Sequence, residues 1–417
     1  LVARYPDWPE AQTAAAEAAN MEGAWLAAAD HLRRAIASEP VPDTASGARC
    51  RACETRLLLV ATYKAADSLA AALRVAQALV RAQPHSRVAW LELSHALGES
   101  GRYDDARAAL DSSTRYATGT DDDVIEHAQI EIRARNFATA DRLLTTLAQT
   151  GNANSGSDAL WYLVISLRTQ GRLREALGVA QGSLRHTELL STVGTGTSRA
   201  AEAQVLFELG QYRRAAALFT ALAWPPDSFA WTAEGRIARQ RVWMLTQAGS
   251  ALAAAGDTAA VAALADTIQQ WGRKSGFGRD RRLHDYLTGL LWMARARPDS
   301  ALAAYQRATL SESEGFSRLQ LERGRALLAL GRPREAIPIL RQPLAGTLEA
   351  GNFYASRTAI EEMLARAYDA AGQRDSAAVY YRYVVNAWRG GDAQFESRVA
   401  RAREGLAVDE HRLIAKR

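Results

Sequence analysis

The sequence predicts an all-α fold, a right-handed α-solenoid of about ten helix-turn-helix units with a C-terminal capping helix. Two observations predict it. Stretches such as LFELGQYRRAAALF, SLRTQGRLREALGV and LLALGRPREAIPIL share one arrangement, a turn glycine with alanine five positions later. On both sides of each turn, apolar and small residues recur at three- and four-residue steps, which places them on one face of a helix.

Taken in chain order, the glycine turns pair Gly23 with Ala28, Gly101 with Ala106, Gly171 with Ala176, Gly210 with Ala215, Gly256 with Val261, Gly331 with Ala336 and Gly372 with Ala377. Three copies are anchored without glycine, at Lys64 with Leu69, Arg135 with Ala140 and Ala296 with Ala301. Successive anchors lie 34 to 46 residues apart, the period of stacked helical hairpins. Each position has a physical reason. Glycine ends the first helix by accepting a left-handed backbone, and a small residue at the second position lets the two helices approach closely.

Helical faces before the turn include Trp90, Leu93, Ser94 and Leu97, and Leu364, Ala365 and Tyr368; faces after it include Ala28, Leu32 and Ala35, and Ala377, Tyr381 and Val384. Pro40 closes the first hairpin. Four breaks, Pro40–Arg49, Thr150–Asp158, Ser191–Ser198 and Trp224–Ser228, are rich in Gly, Ser, Asn and Pro and are expected to be loops. None is long enough for a disordered linker. The expected organisation is one continuous superhelix over residues 1–417, with a change of curvature near 210–256, two separately folded halves being the alternative. Residues 395–407, FESRVARAREGLA, are the expected cap over the last unit.

Trp90, Leu93, Ser94, Leu97, Gly101, Tyr103, Ala106 and Leu110, and again Leu364, Ala365, Tyr368, Gly372, Ala377, Tyr381 and Val384, fall in the order of the tetratricopeptide repeat, which the chain resembles over nearly its whole length. The copy around Gly256 departs most, being mostly alanine. That resemblance implies a module that holds a protein or peptide. The family's carboxylate-clamp type needs paired Asn and Lys, and the chain's six Asn and three Lys argue against it. The last third, including GFGRDRRLHDYLTGLLWMARARPDSALAAYQRA, is also similar to helical-repeat regions of large bacterial signalling and transcriptional regulators. In those proteins a DNA-binding domain or a kinase precedes the repeats. Neither is present in residues 1–417, so this second resemblance implies a sensor arm or scaffold.

Net charge and motifs narrow the chemistry. The net charge is +5, with 48 Arg and 3 Lys dispersed among 46 acidic residues; with no directed basic stripe, direct nucleic-acid binding is not expected. No run of 18 apolar residues exists to insert in a membrane. LVARYPDWPE lacks the features of a signal peptide, so Leu1 is expected to be a processing boundary. The seven histidines are scattered, without H-E-x-x-H or G-x-S-x-G. His284 and Asp285 are adjacent, which on a helix aims them about 100° apart. No catalytic, cofactor-binding or metal-binding set emerges, and the chain is expected not to be an enzyme. GTDDDV, Gly119–Val124, lacks the ligand spacing of an EF-hand loop and suits the first turn of a helix.

Cys50 and Cys53 form the single C-x-x-C. They are structural or incidental cysteines that could close a local disulfide, an intermolecular or metal-binding pair, or a redox pair. A bridge would favour the periplasm or cell exterior over a bacterial cytoplasm. The candidate interaction site is WGRKSGFGRDRRLHDY, in which Arg273, Lys274, Arg279, Arg281 and Arg282 lie among Trp271 and Phe277. Trp90 and Trp292 occupy hairpin-packing positions, whereas Trp224 and Trp388, at unit ends, are expected to reach partners. The function expected is a non-catalytic scaffold binding protein or peptide along an inner groove. The alternative is head-to-tail self-assembly into a homo-oligomer or filament.

Overall fold

The structure, a computed structural model, describes residues 3–39, 51–116, 120–187, 192–224, 234–311, 317–345, 348 and 355–415. Ten helical hairpins follow one another, with no strand among the described residues. They are α1 (Pro9–Glu22) with α2 (Trp25–Ser38), α3 (Arg51–Ala65) with α4 (Leu69–Ala82), α5 (Arg87–Glu99) with α6 (Tyr103–Thr114), and α7 (Asp121–Ala134) with α8 (Phe137–Thr150). Then come α9 (Ala153–Thr169) with α10 (Leu173–Thr187), α11 (Thr192–Glu208) with α12 (Tyr212–Ala223), and α13 (Glu234–Ala254) with α14 (Thr258–Gly272). The last three are α15 (Leu283–Ala294) with α16 (Pro298–Ala308), α17 (Ser317–Ala329) with α18 (Pro333–Arg341), and α19 (Arg357–Ala370) with α20 (Arg374–Trp388), followed by α21 (Glu396–Ala415).

One turn joins the helices of all ten hairpins. Its seven glycines have φ between 67° and 81°, and Asp67, Arg135 and Ala296 take the same left-handed conformation at 57°, 66° and 54°. At the first turn the amide of Gly23 donates to Asn20 O and that of Ala24 to Ala19 O, 2.8 Å, the paired bonds of a Schellman motif. The residue after the left-handed one then accepts the first bond of the next helix, as Ala24 O does from Ala28 N–H at 2.9 Å. A single residue thus closes one helix and opens the next, which is why the partner position is fixed at five. The residues there, from Ala28 to Ala377, are at most 3 % exposed.

One anchor needs correction. In the second hairpin the left-handed residue is Asp67, not Lys64, and the buried partner is Ala72 rather than Leu69. An aspartate tolerates this conformation better than most residues but leaves no glycine to find. Lys64 instead lies inside α3, 2.9 Å from Glu99. The expected loops also change. Asn152 caps α9 by accepting from the amides of Asn154 and Ser155, so most of Thr150–Asp158 is helical. Ser191–Ser198 is helical from Thr192. Pro40–Arg49 and residues 225–228 lie outside the described residues. As expected, Asp121–Asp123 form the first turn of α7, where Asp123 accepts from Arg87 at 3.0 Å.

The chain divides into two compact units, Leu1–Leu147 with Ala345–Leu348, and Ala148–Leu344 with Glu349–Arg417. In the first, Ala16, Ala28, Ala29, Leu32 and Leu59 form one core cluster, and residues of α3 to α7 around Val60, Ala76, Leu97, Ala106 and Ile130 form another. In the second, α21 lies against α20, so that a Cβ on Gly405 would meet the Tyr381 ring at 2.5 Å. First and last hairpins of this unit also touch. The Thr358 hydroxyl donates to Thr169 O at 2.7 Å, the Asp392 amide donates to Gly171 O at 2.9 Å, and Asp392 accepts from the amide of Arg174 at 2.9 Å.

Buried polar residues concentrate on the first helices. In the second unit Arg168, Gln204, Thr246, Gln247, Arg318 and Thr358 are at most 3 % exposed. Arg168 pairs with Glu208 at 3.0 Å, and Arg318 donates to Gln204 at 2.8 Å while resting over the Phe207 ring. These faces of α9, α11, α17 and α19 are therefore bonded to one another.

Candidate functional site

The predicted interaction segment joins α14 to α15 and is built around a buried carboxylate. Asp280, 0 % exposed, accepts from Ser275 Oγ at 2.6 Å and from Arg279 at 2.9 Å. Ser275 Oγ also accepts from the Phe277 amide. Gly272 permits the tight return, because a Cβ there would lie 2.6 Å from Asp280 O. Arg282 donates to Thr309 O at 2.9 Å. Two of the five candidate cations thus hold the loop together. Arg273 and Arg281 are exposed, and Lys274 lies 3.1 Å from Glu234.

Three residues of α13 that sequence reasoning missed organise the aromatic side chains. Arg239 and Trp243, one helical turn apart, share a face: the Arg239 guanidinium lies 3.7 Å from the Phe277 ring centre, and Arg279 lies 3.9 Å from that of Trp243. Arg241, about 200° further round from Arg239, sits between two indoles, 4.3 Å from Trp224 and 4.0 Å from Trp271. Those indoles meet edge to face at 6.1 Å, and Lys274 Nζ lies 4.7 Å from Trp271. The structure thereby unites Trp224 with Trp271. The available signal was the alternation of basic and aromatic residues in ARQRVWM, Ala238 to Met244.

This cluster is amphipathic. Trp224 remains 47 % exposed, so an open aromatic face joins Trp271 and the Lys274 that lies over it. Such a surface can stack on an apolar or aromatic side chain while its cations meet an acidic one.

Trp388 does not belong to it. Although it ends α20, it is 2 % exposed, packed 4.7 Å from Phe395 with Arg398 stacked at 4.2 Å. The return of the chain through Phe395 covers the indole, so it is an internal anchor rather than a partner contact. Trp90 and Trp292 are half-buried. His284 and Asp285 approach to 3.7 Å, closer than their helical directions suggested, but Asp285 is held by Arg307 at 2.8 Å. Cys53 is buried and not a free thiol, and Cys50 lies outside the described residues. Among the described residues no group of three His, Cys, Asp or Glu side chains is placed to hold a metal ion, and no helix is long and apolar enough to cross a membrane.

Residues 286–346, the eighth and ninth hairpins, match the family model of the tetratricopeptide repeat. Among solved structures, the chain is similar to a tetratricopeptide repeat protein from Parabacteroides merdae at 16 % identity, over 69 % of this chain and 97 % of that one, with a TM-score of 0.35. It is similar to yeast Tom70 at 10 % identity over 99 % and 97 %, TM-score 0.38. A human IFIT1 dimer with m7Gppp-AAAA aligns at 13 % identity over 96 % and 87 %, TM-score 0.41. No curated protein matches the chain. The fold assignment rests on the hairpins and the family match, not on these three likenesses.

Proposed function

We propose, on the premise that the chain is a tetratricopeptide-repeat protein, that it is a non-catalytic scaffold whose partner docks on the Trp224–Arg241–Trp271 face. The observation that carries this reading is the half-exposed Trp224 indole, held by the Arg241 guanidinium against Trp271, over which Lys274 lies. Preordered aromatic and arginine side chains at low entropic cost are what binding hot spots are made of. The fitting partner is a protein segment with an aromatic or aliphatic anchor beside acidic residues. The first-helix faces of the second unit support a peptide less well, since Arg168, Arg318 and Thr358 are already bonded within the unit.

A photo-crosslinking residue at position 224 tests the reading in the organism's own cells. A discrete protein adduct, lost when Trp271→Ala and Lys274→Glu are added, is expected; an adduct pattern unchanged by those substitutions would count against it. Head-to-tail self-assembly is the competing proposal. The packing of α21 on α20 weighs against it at the C-terminal end by covering the last hairpin. As for the role of a regulator's sensor arm, it rests only on the resemblance of the last third.

A further inference from the structure

We infer that the cleft between α17, α19, α20 and α21 binds a small phosphate-bearing ligand that also carries hydroxyl groups. The cleft has a volume of about 740 Å3, within the range typical of small-molecule sites. Four arginines line it, Arg366, Arg374, Arg398 and Arg401, against two carboxylates, Glu362 and Asp369.

Their states differ in a way that points to a ligand. Arg398 is fixed, its Nε lying 3.1 Å and 3.2 Å from the Glu362 oxygens and its guanidinium stacked on Trp388. By contrast, the guanidiniums of Arg366, Arg374 and Arg401 make no ion pair or hydrogen bond among the described residues. Arg366 and Asp369 have the i, i+3 spacing that pairs Arg332 with Glu335 at 2.6 Å, yet they stay apart. Three guanidiniums around one concavity, two of them on exposed residues, leave donors open to whatever enters it. Arg374 is also the first residue of α20, whose N-cap, Gln373, makes no side-chain capping bond, and the partial positive charge of a helix start adds to the field.

A phosphate suits these side chains, because the planar guanidinium offers paired donors to two oxygens at once. Acceptors on the same walls specify the rest of the ligand. Tyr381 packs its ring on Gly405 and lines the cleft with Asp369, Arg366 and Glu362, and burial, with the charge of Asp369, pushes its hydroxyl up. That hydroxyl and Asp369 can take hydrogen bonds from ligand hydroxyls, which a bare inorganic anion lacks. The cleft is separate from the Trp224 face, so either proposal stands if the other fails.

Calorimetric titration of the full chain with inorganic phosphate, ribose 5-phosphate and a phosphoserine peptide, at constant ionic strength, tests it. Ribose 5-phosphate is expected to saturate one site and to bind at least about tenfold tighter than inorganic phosphate. In Arg366→Ala/Arg401→Ala, both residues being exposed, binding should fall by at least about tenfold with an unchanged circular dichroism spectrum and melting curve. Arg366→Lys/Arg401→Lys, which keeps charge but not paired donors, should fall between the two. Heats no larger than those of matched chloride, equal affinity in the alanine variant, or tighter binding of the phosphoserine peptide would each overturn the proposal.

Discussion

The hydroxyl of Thr358 in α19 donates to the carbonyl of Thr169 at the end of α9, 189 positions away in sequence, at 2.7 Å. Both residues are buried, at 0 % and 2 % exposure. The bond fastens the last hairpin of the second unit to the first. Thr358→Val keeps the shape and removes the donor, leaving a buried carbonyl unpaired at a cost of about 1–3 kcal/mol. Hydrogen exchange should quicken in residues 167–172 and 388–395, where the Asp392 and Gly171 contacts depend on the same approach. Unaltered protection in both segments would mean that the closure does not depend on this bond.

The turn makes a paired prediction, because the same backbone is occupied by alanine at one hairpin and glycine at the next. Ala296 holds φ 54° and Gly331 φ 67°, and a Cβ on Gly331 would meet nothing within 4 Å. The difference between the two residues is therefore one of backbone alone. Left-handed alanine costs about 1–2 kcal/mol, offset in part by the larger entropy that glycine loses on folding. Ala296→Gly should stabilise by about 0.5–1 kcal/mol and Gly331→Ala should destabilise by a similar amount. Denaturant midpoints moving in the same direction for both variants would contradict the shared turn.

Those turns were the most legible part of the sequence, because their signal is local: one residue must be left-handed, and another, five on, must be small. Where aspartate replaced glycine, at Asp67, the same logic put the anchor three residues early. Trp224 could be named as a partner contact and Trp271 as part of a basic segment, but their union could not. Arg241 joins them from another helix, and such proximity is a property of packing. Trp388 was misplaced for the matching reason: its cover, Phe395, arrives from beyond the hairpin. Bonds such as Arg318 to Gln204 span 114 positions, beyond the reach of any periodicity.

The cysteine pair gives a prediction by mass. Cys53 is not a free thiol, and the chain contains one other cysteine, Cys50. A bridge between them implies that the intact chain gains two hydrogens on reduction and that iodoacetamide modifies it only afterwards. Alkylation of both residues before reduction would exclude the bridge. Because so short a loop restrains the unfolded chain little, its loss should change stability modestly.

A pH dependence follows from His95, whose ring lies 2.9 Å from Glu126 and 3.5 Å from Glu92. Glu92 also faces Lys64 at 3.8 Å, Lys64 pairs with Glu99, and Ser94 donates to Glu126 at 3.2 Å. Burial opposes the charge on the ring, but the two carboxylates outweigh it and push the imidazolium up to about 10. In the unfolded chain a histidine titrates near 6.5. Between those values the folded protein binds one proton more than the unfolded one, so stability must fall as pH rises. It should be level below about pH 6.5 and decline toward about pH 10, by no more than about 1.4 kcal/mol per unit. Partial exposure of the ring, 32 %, trims that ceiling through solvent screening. Urea unfolding of the wild type and of His95→Gln at several pH values measures the difference, which should vanish in the variant. Direct titration by imidazole NMR decides the cause: a His95 ring already neutral at pH 8 would remove the carboxylate clamp as the source of any decline.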